Sequence, residues 1–322
     1  MHFMLEEIRS ESAIVENYKA KEFDNFENIL RILAESDVIY AVGNGTSYHA
    51  ALYLSILLNR TGQSCFPVFS SETDQLFLKK GPKMAAIVFS QSGGSVDAIN
   101  SVEELKRVEA RVIGITNIPN SELDKRSDFK INTDVGKEES LAATKSHLSQ
   151  LLVSLKIALH GKNENLDALM GDIERYAGMI ISKDTAIRRL AERSTANTVF
   201  LGSGLLYPVA LEASLKLMET SNAISYAFPT REFLHGPKQI LDKNWSVFMF
   251  SRDNKVEKDL NQYAKSVLDV TDFMKEEYGI SKINEVTWSI LLLIFGQLFA
   301  YYSSIYRGLN PDKPSKLSKV VK

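Results

Sequence analysis

The chain has 322 residues, of which 44% are hydrophobic and 24% are charged, and it carries a net charge of −2. This composition is typical of a globular protein with a substantial core, at a length that allows two domains. No basic excess indicates binding to nucleic acid, so an anionic substrate would have to be captured by local groups. The single cysteine excludes an internal disulfide and a paired-cysteine zinc site, and it fits a reducing compartment.

The first 20 residues are predicted to form a lead helix. Glu6 and Glu7 occur before any apolar stretch can form, so the N-terminus does not resemble a signal peptide. We therefore expect a cytoplasmic protein. Cys65 lies in the apolar stretch 63–69, which is predicted to be a buried strand with the thiol as a core group.

Two stretches of the chain resemble each other and indicate an internal duplication. Each contains a short apolar strand, then the pattern Gly-x-Gly, then an amphipathic helix, and the glycine pairs are Gly43/Gly45 and Gly202/Gly204. In both copies a tyrosine follows the second glycine by three residues. Because strands alternate with helices, each copy predicts a parallel sheet with right-handed crossovers.

A second pair of apolar strands, residues 85–90 and 246–251, repeats the correspondence. Each strand is followed by a helical pattern, over residues 97–108 and 256–267. The chain is therefore predicted to be an α/β protein with two domains. Their predicted boundaries are 21–161 and 162–308, with residues 309–322 forming a C-terminal tail that is rich in turn-forming residues.

One segment, residues 287–306, contains no charged side chain and is long enough to span a bilayer. Ser289, Gln297, Ser303 and Ser304 interrupt it. We predict a helix that is buried on all sides, for which a subunit contact is one way of completing the burial.

Polar residues cluster where the strands of the first domain end, at residues 43–47, 90–95 and 116–117. Open parallel sheets bind ligands at this edge. A phosphate monoester needs several hydrogen-bond donors at close range, and small hydroxyl side chains and glycine amides at a helix N-terminus supply them. Alone, the 90–95 stretch is equally compatible with a turn and an N-cap serine. Combined with Thr46 and Ser47 at another strand end, it favours a phosphate site.

The second copy lacks these hydroxyl groups, because residues 251–254 and 205–206 replace them with mostly charged and apolar types. The sequence therefore predicts one phosphate site, in the first domain. Tyr48 and Tyr207 stand where a dinucleotide fingerprint would have its third glycine. A dinucleotide is not expected, and neither is any other cofactor or a metal.

At these residues the sequence resembles the sugar isomerase (SIS) domain family, and within it the isomerase half of the glutamine–fructose-6-phosphate amidotransferases. The resemblance covers nearly the whole chain and implies two SIS domains, each a flavodoxin-like parallel sheet flanked by helices. The matching motifs are Gly43-x-Gly45-Thr46-Ser47-Tyr48-His49, Ser90-Gln91-Ser92-Gly93, Glu138 with Ala142-Ala143-Thr144-Lys145, Ala210-Leu211-Glu212-x3-Lys216-x2-Glu219, Glu232-Phe233-Leu234-His235-Gly236-Pro237, and Asp312-x-Pro314-x2-Leu317-x-Lys319.

The resemblance implies a role for individual residues. Glu219 corresponds to the base that moves a proton between C1 and C2 of the sugar, and His235 to the histidine that opens the ring. Lys319 corresponds to a tail lysine that forms a Schiff base with the open-chain sugar, and Lys216 to a lysine near the reacting carbons. The residues implied to hold the sugar phosphate are Thr46, Ser47, Ser90, Gln91, Ser92, Ser95, Leu141 and Ser318.

The sequence departs from the family where Ser95 replaces the usual threonine and Gly94 the usual glutamate. Considered without the family, Lys216 and Glu219 are three residues apart on a helix and could form a surface ion pair. His147 is predicted to be structural and to lie on a helix surface.

The function is expected to follow from the part of the amidotransferases that the chain lacks. They carry a glutaminase domain with an N-terminal nucleophilic cysteine, and the start Met1-His2-Phe3 does not match it. The leading hypothesis is a glucosamine-6-phosphate deaminase that forms fructose 6-phosphate and ammonia. The alternatives are a fructosamine-6-phosphate deglycase, the isomerase part of a split glucosamine-6-phosphate synthase, and a non-catalytic sugar-phosphate sensor.

The expected partners are a hexosamine or hexose 6-phosphate and a second copy of the chain. A homodimer is implied because, in the family, the residue that His235 matches reaches in from a neighbouring subunit. Neither nucleic acid nor a membrane is expected as a partner.

Overall fold

The computed structural model describes residues 2–75, 83–162 and 165–318. The chain divides into two compact units, which we name by their sheets. The five-strand unit contains Asn17–Glu138 and Lys145–Leu166, and Ser318 at the end of the described chain is grouped with it. The four-strand unit contains Glu139–Thr144, Asp167–Leu317 and the N-terminal residues up to Glu16.

All nine strands of the described residues lie in two parallel sheets. Their bounds are β1 (Val38–Gly43), β2 (Cys65–Phe69), β3 (Met84–Phe89), β4 (Arg111–Thr116), β5 (Phe129–Asn132), β6 (Asn197–Gly202), β7 (Ile224–Pro229), β8 (Trp245–Met249) and β9 (Ser266–Asp269).

The helices of the described residues connect or flank these strands. Their bounds are α1 (Phe3–Arg9), α2 (Glu11–Lys19), α3 (Phe26–Glu35), α4 (Thr46–Arg60), α5 (Val96–Arg107), α6 (Glu122–Arg126), α7 (Lys145–Leu159), α8 (Leu166–Ser182), α9 (Thr185–Arg193), α10 (Leu206–Ser221), α11 (Asn254–Leu260), α12 (Val270–Tyr278) and α13 (Glu285–Tyr306). Short 3-10 helices lie at Ser70–Gln75, Glu232–Leu234 and Pro237–Ile240.

The two sheets share one topology. Their strand orders are β2-β1-β3-β4-β5 and β7-β6-β8-β9, so the first strand of each copy lies between the second and the third. This is the flavodoxin-like order, which confirms the predicted fold class. The central strand β3 is buried along its whole length, as expected for a parallel strand that helices cover on both faces.

The predicted membrane-length segment is the core helix of the four-strand unit. Helix α13 is long and apolar enough to cross a bilayer, but 83% of its most apolar window is buried. Its Gly296 faces Ala213 of α10 so closely that a Cβ atom on Gly296 would lie 2.7 Å from the Cβ atom of Ala213. Phe295 and Phe299 complete an aromatic cluster with Phe248 under the sheet. The prediction of a buried helix is confirmed.

The described part of the C-terminal tail forms a loop that caps the first helix. Residues 309–318 contain neither helix nor strand. The Asp312 carboxylate accepts hydrogen bonds from the backbone N–H groups of Phe3 and Met4, both at 2.8 Å. A carboxylate at this position satisfies amide groups that the first turn of a helix leaves without a helical partner.

Two local predictions were wrong. The helix expected over residues 256–267 ends at Leu260, because Ser266 and Val267 pair with β8 as part of strand β9. The strand predicted over 63–69 begins at Cys65 and lies at the edge of its sheet, so its phenylalanines are exposed although Cys65 is buried.

Candidate functional site

The two Gly-x-Gly turns have the same geometry in both units. A Cβ atom on Gly43 would lie 2.4 Å from the backbone oxygen of Ser47, and one on Gly202 would lie 2.4 Å from that of Leu206. The second glycines have positive φ angles of 52° at Gly45 and 55° at Gly204. Only glycine meets both demands without strain. The duplication seen in the sequence is therefore a duplication of the strand-to-helix turn.

In the five-strand unit, the residues 90–95 form a tight serine-rich loop between β3 and α5. The Ser90 hydroxyl accepts a hydrogen bond from the Gly93 N–H at 3.2 Å, and the Ser92 hydroxyl accepts one from the Gly94 N–H at 3.2 Å. Gly93 has a φ angle of 61°, and a Cβ atom there would lie 2.2 Å from the Ser121 hydroxyl oxygen. Each hydroxyl that accepts in this way keeps its own proton for donation to a ligand.

Thr46, Ser47 and Ser95 lie at the N-termini of the two helices that follow β1 and β3. Thr46 and Ser47 open α4, and Ser47 accepts a hydrogen bond from the Gln150 side chain of α7 at 3.1 Å. Ser95 is the N-cap of α5, but among the described residues its hydroxyl makes no capping hydrogen bond. Strands β1 and β3 are neighbours in the sheet, so the six predicted phosphate ligands within residues 46–47 and 90–95 follow adjacent strand ends.

The third polar cluster, Thr116 and Asn117, is used by the fold itself. The Asn117 amide nitrogen donates to the Gly136 carbonyl at 2.8 Å, and its oxygen accepts from Thr133 and from the backbone of Val135. These bonds fix the loop after β5. The cluster therefore stabilises the sheet edge and is a weaker candidate for ligand binding than the serine loop.

The motif residue Glu138 caps a helix. Its carboxylate accepts hydrogen bonds from the Ser146 backbone N–H at 3.1 Å and from the Ser146 hydroxyl at 2.7 Å, and it is 3% exposed. It therefore anchors the N-terminus of α7. His147 on the same helix is 1% exposed, so the prediction that it lies on a helix surface was wrong.

Leu141 belongs to the loop Glu139–Thr144 of the four-strand unit. The Glu7 carboxylate of α1 accepts hydrogen bonds from the N–H groups of Glu139 and Ser140, at 2.5 and 3.4 Å, and holds the start of this loop. Ser318 is exposed at the end of the described chain. Lys319, the predicted Schiff-base lysine, lies outside the described residues.

In the four-strand unit, α10 carries a buried cluster of three charged residues. Glu212, Lys216 and Glu219 are spaced by four and three residues and therefore lie on one face of the helix. The Lys216 ammonium lies 3.3 Å from a Glu212 oxygen and 2.5 Å from a Glu219 oxygen. The side chains of Lys216 and Glu212 are 1% and 0% exposed, while that of Glu219 is 19% exposed.

This burial contradicts the surface-ion-pair interpretation of Lys216 and Glu219. Burial alone would lower the pKa of the Lys216 ammonium, but the charges of Glu212 and Glu219 outweigh it and raise that pKa above its ordinary value. Lys216 is therefore a charged group inside the protein, held from both sides. Glu219 is the member of the cluster that solvent and a substrate can reach.

The sequence analysis did not predict that Glu212 pairs with Lys216 inside the protein. Glu212 was visible in the sequence as a motif residue four positions before Lys216, the spacing that places two side chains on one helical face. Its burial follows from the packing of α10 against α13, which the sequence pattern does not reveal.

His235 lies on a turn between two short 3-10 helices and is exposed. The neighbouring Phe233 is fully buried in the core of the four-strand unit and anchors this turn. Gly236 has a φ angle of 134°, which favours glycine. A cavity of about 290 Å³ adjoins the turn, and its lining residues are Arg231, Leu234, His235, Asp253, Lys255 and Val256.

The strand ends of the four-strand unit are filled by its own carboxylates. The Glu285 carboxylate accepts from the Leu205 N–H at 2.9 Å, at the position that corresponds to Thr46. Asp253, which corresponds to Ser92, accepts from the N–H groups of Lys255 and Val256 and from the Arg231 side chain. The Arg231 hydrogen bond, supported by these amides, lowers the pKa of Asp253. Internal anions thus take the amides that an external phosphate would need.

The comparisons with known proteins agree with this architecture. The family model for the SIS domain matches residues 32–159 and 193–270. The chain belongs to the SIS domain family. Its two matched stretches contain the two Gly-x-Gly turns and both first strands. Within the family, the candidate residues fall into two groups: the hydroxyl-rich loops of the five-strand unit, and Lys216, Glu219 and His235 of the four-strand unit.

Curated relatives of this SIS protein include glutamine–fructose-6-phosphate aminotransferase (isomerizing) from Sulfolobus acidocaldarius. It is 32% identical over 99% of this chain and 56% of its own length. The relative of that name from Thermotoga maritima is 30% identical over 99% of this chain and 58% of its own. The chain therefore spans little more than half the length of these relatives.

Among solved structures, glucosamine-6-phosphate deaminase from Thermotoga maritima matches with a TM-score of 0.80 and 28% identity, over 99% of both chains. The C-terminal domain of glucosamine-fructose-6-phosphate aminotransferase from Francisella tularensis matches with a TM-score of 0.84 and 24% identity, over 98% of both chains, and supports the fold alone. The chain is thus similar to the isomerase part of the aminotransferases, and its homologues are enzymes of phosphosugar metabolism.

Proposed function

We propose that this SIS protein is a glucosamine-6-phosphate deaminase, which converts glucosamine 6-phosphate and water to fructose 6-phosphate and ammonia. The likeness to the Thermotoga maritima deaminase over 99% of both chains supports the substrate class. The observation that carries the proposal is the buried cluster on α10. A binding protein needs only the hydroxyl-rich loops, whereas a buried ammonium that supports an accessible carboxylate suits proton transfer.

The hydroxyl-rich loops would hold the phosphate. Ser90 and Ser92 accept backbone N–H bonds and can therefore donate their hydroxyl protons outward. Thr46 and Ser47 open α4, and Ser95 opens α5, so the positive ends of two helix dipoles lie at the same sheet edge. Neutral donors and helix dipoles can bind a dianion without a lysine or an arginine in the cradle.

The proposed reaction then proceeds on the open-chain sugar. His235, exposed on its turn, would exchange the protons that ring opening requires. The Glu219 carboxylate would take the proton from C2, which carries the amine, and return it to C1. Together with the movement of one proton from the amine nitrogen to O1, this transfer converts the C1 aldehyde to an alcohol and the C2 amine to an imine. Water adds to C2, and ammonia leaves, which gives fructose 6-phosphate.

Lys216 would act by holding Glu219. Its ammonium donates to one Glu219 oxygen and is itself held by Glu212, so the carboxylate keeps a fixed orientation on α10. As the alternative to direct addition of water, Lys319 would displace ammonia from the C2 imine by transimination, and water would then release fructose 6-phosphate from the lysine imine, as the family resemblance implies. This SIS protein would thus use an acid–base pair and a lysine, with no redox step.

The test is an assay of the purified protein with glucosamine 6-phosphate, in which ammonia and fructose 6-phosphate are both measured. Equal amounts of the two products are expected. Glu219→Gln should lose this activity, and Ser92→Ala should raise KM while largely keeping kcat. Ammonia formation that survives in Glu219→Gln at the wild-type rate would refute the assignment. If the protein releases amine from fructosamine 6-phosphate and not from glucosamine 6-phosphate, the function is that of a deglycase and not of a deaminase.

A second candidate is the isomerase part of a glucosamine-6-phosphate synthase. It is favoured by the 32% identity to the Sulfolobus acidocaldarius aminotransferase over 99% of this chain. The same residues would then act in the direction of amine addition. The test is to incubate the protein with fructose 6-phosphate and ammonium and to measure the glucosamine 6-phosphate that forms. The ratio of this rate to the rate of ammonia release from glucosamine 6-phosphate shows which direction is favoured.

A further inference from the structure

The side chain of Asn44 connects three segments at the sheet edge of the five-strand unit. Its amide nitrogen donates to an Asp97 carboxylate oxygen at 2.9 Å, and its amide oxygen accepts from the Ser71 N–H at 3.4 Å. Asn44 follows β1, Ser71 follows β2, and Asp97 lies in the first turn of α5, directly after the serine loop. One side chain therefore ties together the two hydroxyl-rich loops.

The four-strand unit makes the equivalent tie with different atoms. Ser203, which corresponds to Asn44, donates its backbone N–H to the Ser251 hydroxyl at 2.7 Å. Ser251 corresponds to Ser90. In the four-strand unit, the cross-loop bond is thus accepted by the serine hydroxyl itself. In the five-strand unit, the cross-loop bond joins the Asn44 side chain to the Asp97 carboxylate. The Ser90 hydroxyl instead accepts from the Gly93 N–H of its own loop.

The charge of Asp97 gives the tie a second consequence. A carboxylate in the first turn of a helix is attracted by the same amides and dipole that would bind a phosphate. The hydrogen bond from Asn44 fixes the place of this charge at the end of β1. The Asn44 amide thus gives this charge a fixed hydrogen-bond partner.

We propose that Asn44 and Asp97 are positioning residues of the phosphate site. Their hydrogen bond holds the 43–47 loop against the first turn of α5, which directly follows the 90–95 loop, and so fixes the two loops relative to each other. This inference rests on the proposed function, because it assigns the two loops to a sugar phosphate.

The experiment is a cycle of substitutions at the two positions, with KM and kcat for glucosamine 6-phosphate and Kd for inorganic phosphate as readouts. Asn44→Asp places two carboxylates against each other and should raise KM about a hundredfold, equivalent to about 2.7 kcal/mol. Asn44→Ala should raise it about tenfold. Asp97→Asn keeps an amide–oxygen bond possible and should change KM by less than about threefold. The control is Asn100→Ala, an exposed amide on the same helix that makes none of these bonds.

The double variant Asn44→Asp/Asp97→Asn reverses the bond, since the new asparagine can donate to the new aspartate. It should restore KM to within about threefold of the wild-type value, with kcat unchanged across the series. Variants that lower kcat at constant KM would show a merely structural role and overturn the inference, as would a double variant no better than Asn44→Asp.

Failure of the inference and failure of the proposed function give different results. If the wild-type protein binds neither inorganic phosphate nor glucosamine 6-phosphate, the proposed function fails. If the wild-type protein binds both, and the Asn44 substitutions leave KM and Kd unchanged, the function stands and the positioning role is wrong.

Discussion

The buried ammonium of Lys216 should be essential to the stability of the four-strand unit. Lys216→Met removes the positive charge that lies 3.3 Å from the Glu212 carboxylate, whose side chain is 0% exposed. Removing one partner of a buried pair costs roughly 3–5 kcal/mol. With a urea dependence of about 3 kcal/mol per M for a unit of this size, the unfolding midpoint should fall by about 1–2 M.

The assay can be confined to the right unit, because both tryptophans of the chain, Trp245 and Trp288, lie in the four-strand unit. Urea unfolding followed by tryptophan fluorescence therefore reports on the unit that contains Lys216. The matched control is Arg188→Met, which breaks an exposed i,i+4 pair with Glu192 and should cost about 0.5 kcal/mol or less.

The double variant Glu212→Leu/Lys216→Met tests the reason for the loss. It removes both fully buried charges, so it should be more stable than Lys216→Met alone, although it has one substitution more. The pH dependence follows from the raised pKa of Lys216. Its stabilising contribution is complete below the unfolded-state pKa of about 10.4 and is lost as the pH rises through the higher folded-state value. A Lys216→Met protein as stable as the wild type at pH 7 would refute this reasoning.

Three further outcomes are expected. Glu219→Gln should lower kcat for ammonia release by about 10²–10⁴ with little change in KM, and an unchanged kcat would exclude it as the base. Gly93→Ala forces a positive φ and a contact with Ser121, so KM for the sugar phosphate should rise, and an unaltered KM would place the phosphate elsewhere. Asp312→Ala removes the acceptor for the first amides of α1 and should cost about 1 kcal/mol by tryptophan fluorescence, whereas no loss would show that water replaces it.

Much of the fold could be predicted because the duplication is visible in glycines that the backbone geometry of each turn requires. The Gly-x-Gly turns and the apolar strands β1, β3, β6 and β8 follow from local sequence. Strand β9 could not be predicted in this way, since residues 256–267 have a helical pattern and only pairing with β8 makes Ser266 and Val267 extended. The exposure of Phe66 on β2 likewise depends on the strand lying at a sheet edge.

The candidate site likewise has one part that local sequence predicts and one part that depends on tertiary packing. The position of the serine loop could be predicted, because residues 90–95 follow an apolar strand and precede a helical pattern, and the structure has them between β3 and α5. The state of Lys216 was not predictable, since a lysine and a glutamate three residues apart form an exposed pair on most helices. The burial of Lys216 depends on tertiary packing that the sequence pattern does not contain: α10 packs against α13, with Gly296 facing Ala213 from 83 residues away in sequence.

The contrast between the two units explains why the duplicated turn keeps its glycines and loses its hydroxyls. Gly43 and Gly202 are both required, because any side chain would collide with the backbone of the following helix. The hydroxyls face no such demand, so the second copy could replace Ser92 by Asp253 and bind the helix amides with its own carboxylate. An internal carboxylate stabilises the turn permanently, whereas in the serine loop the Gly93 and Gly94 amides donate to serine hydroxyls, which keep their own protons for a ligand. The unit that binds phosphate should therefore be the one in which hydroxyls, rather than carboxylates, accept from the loop amides, while its own first-turn carboxylate, Asp97, is held by Asn44.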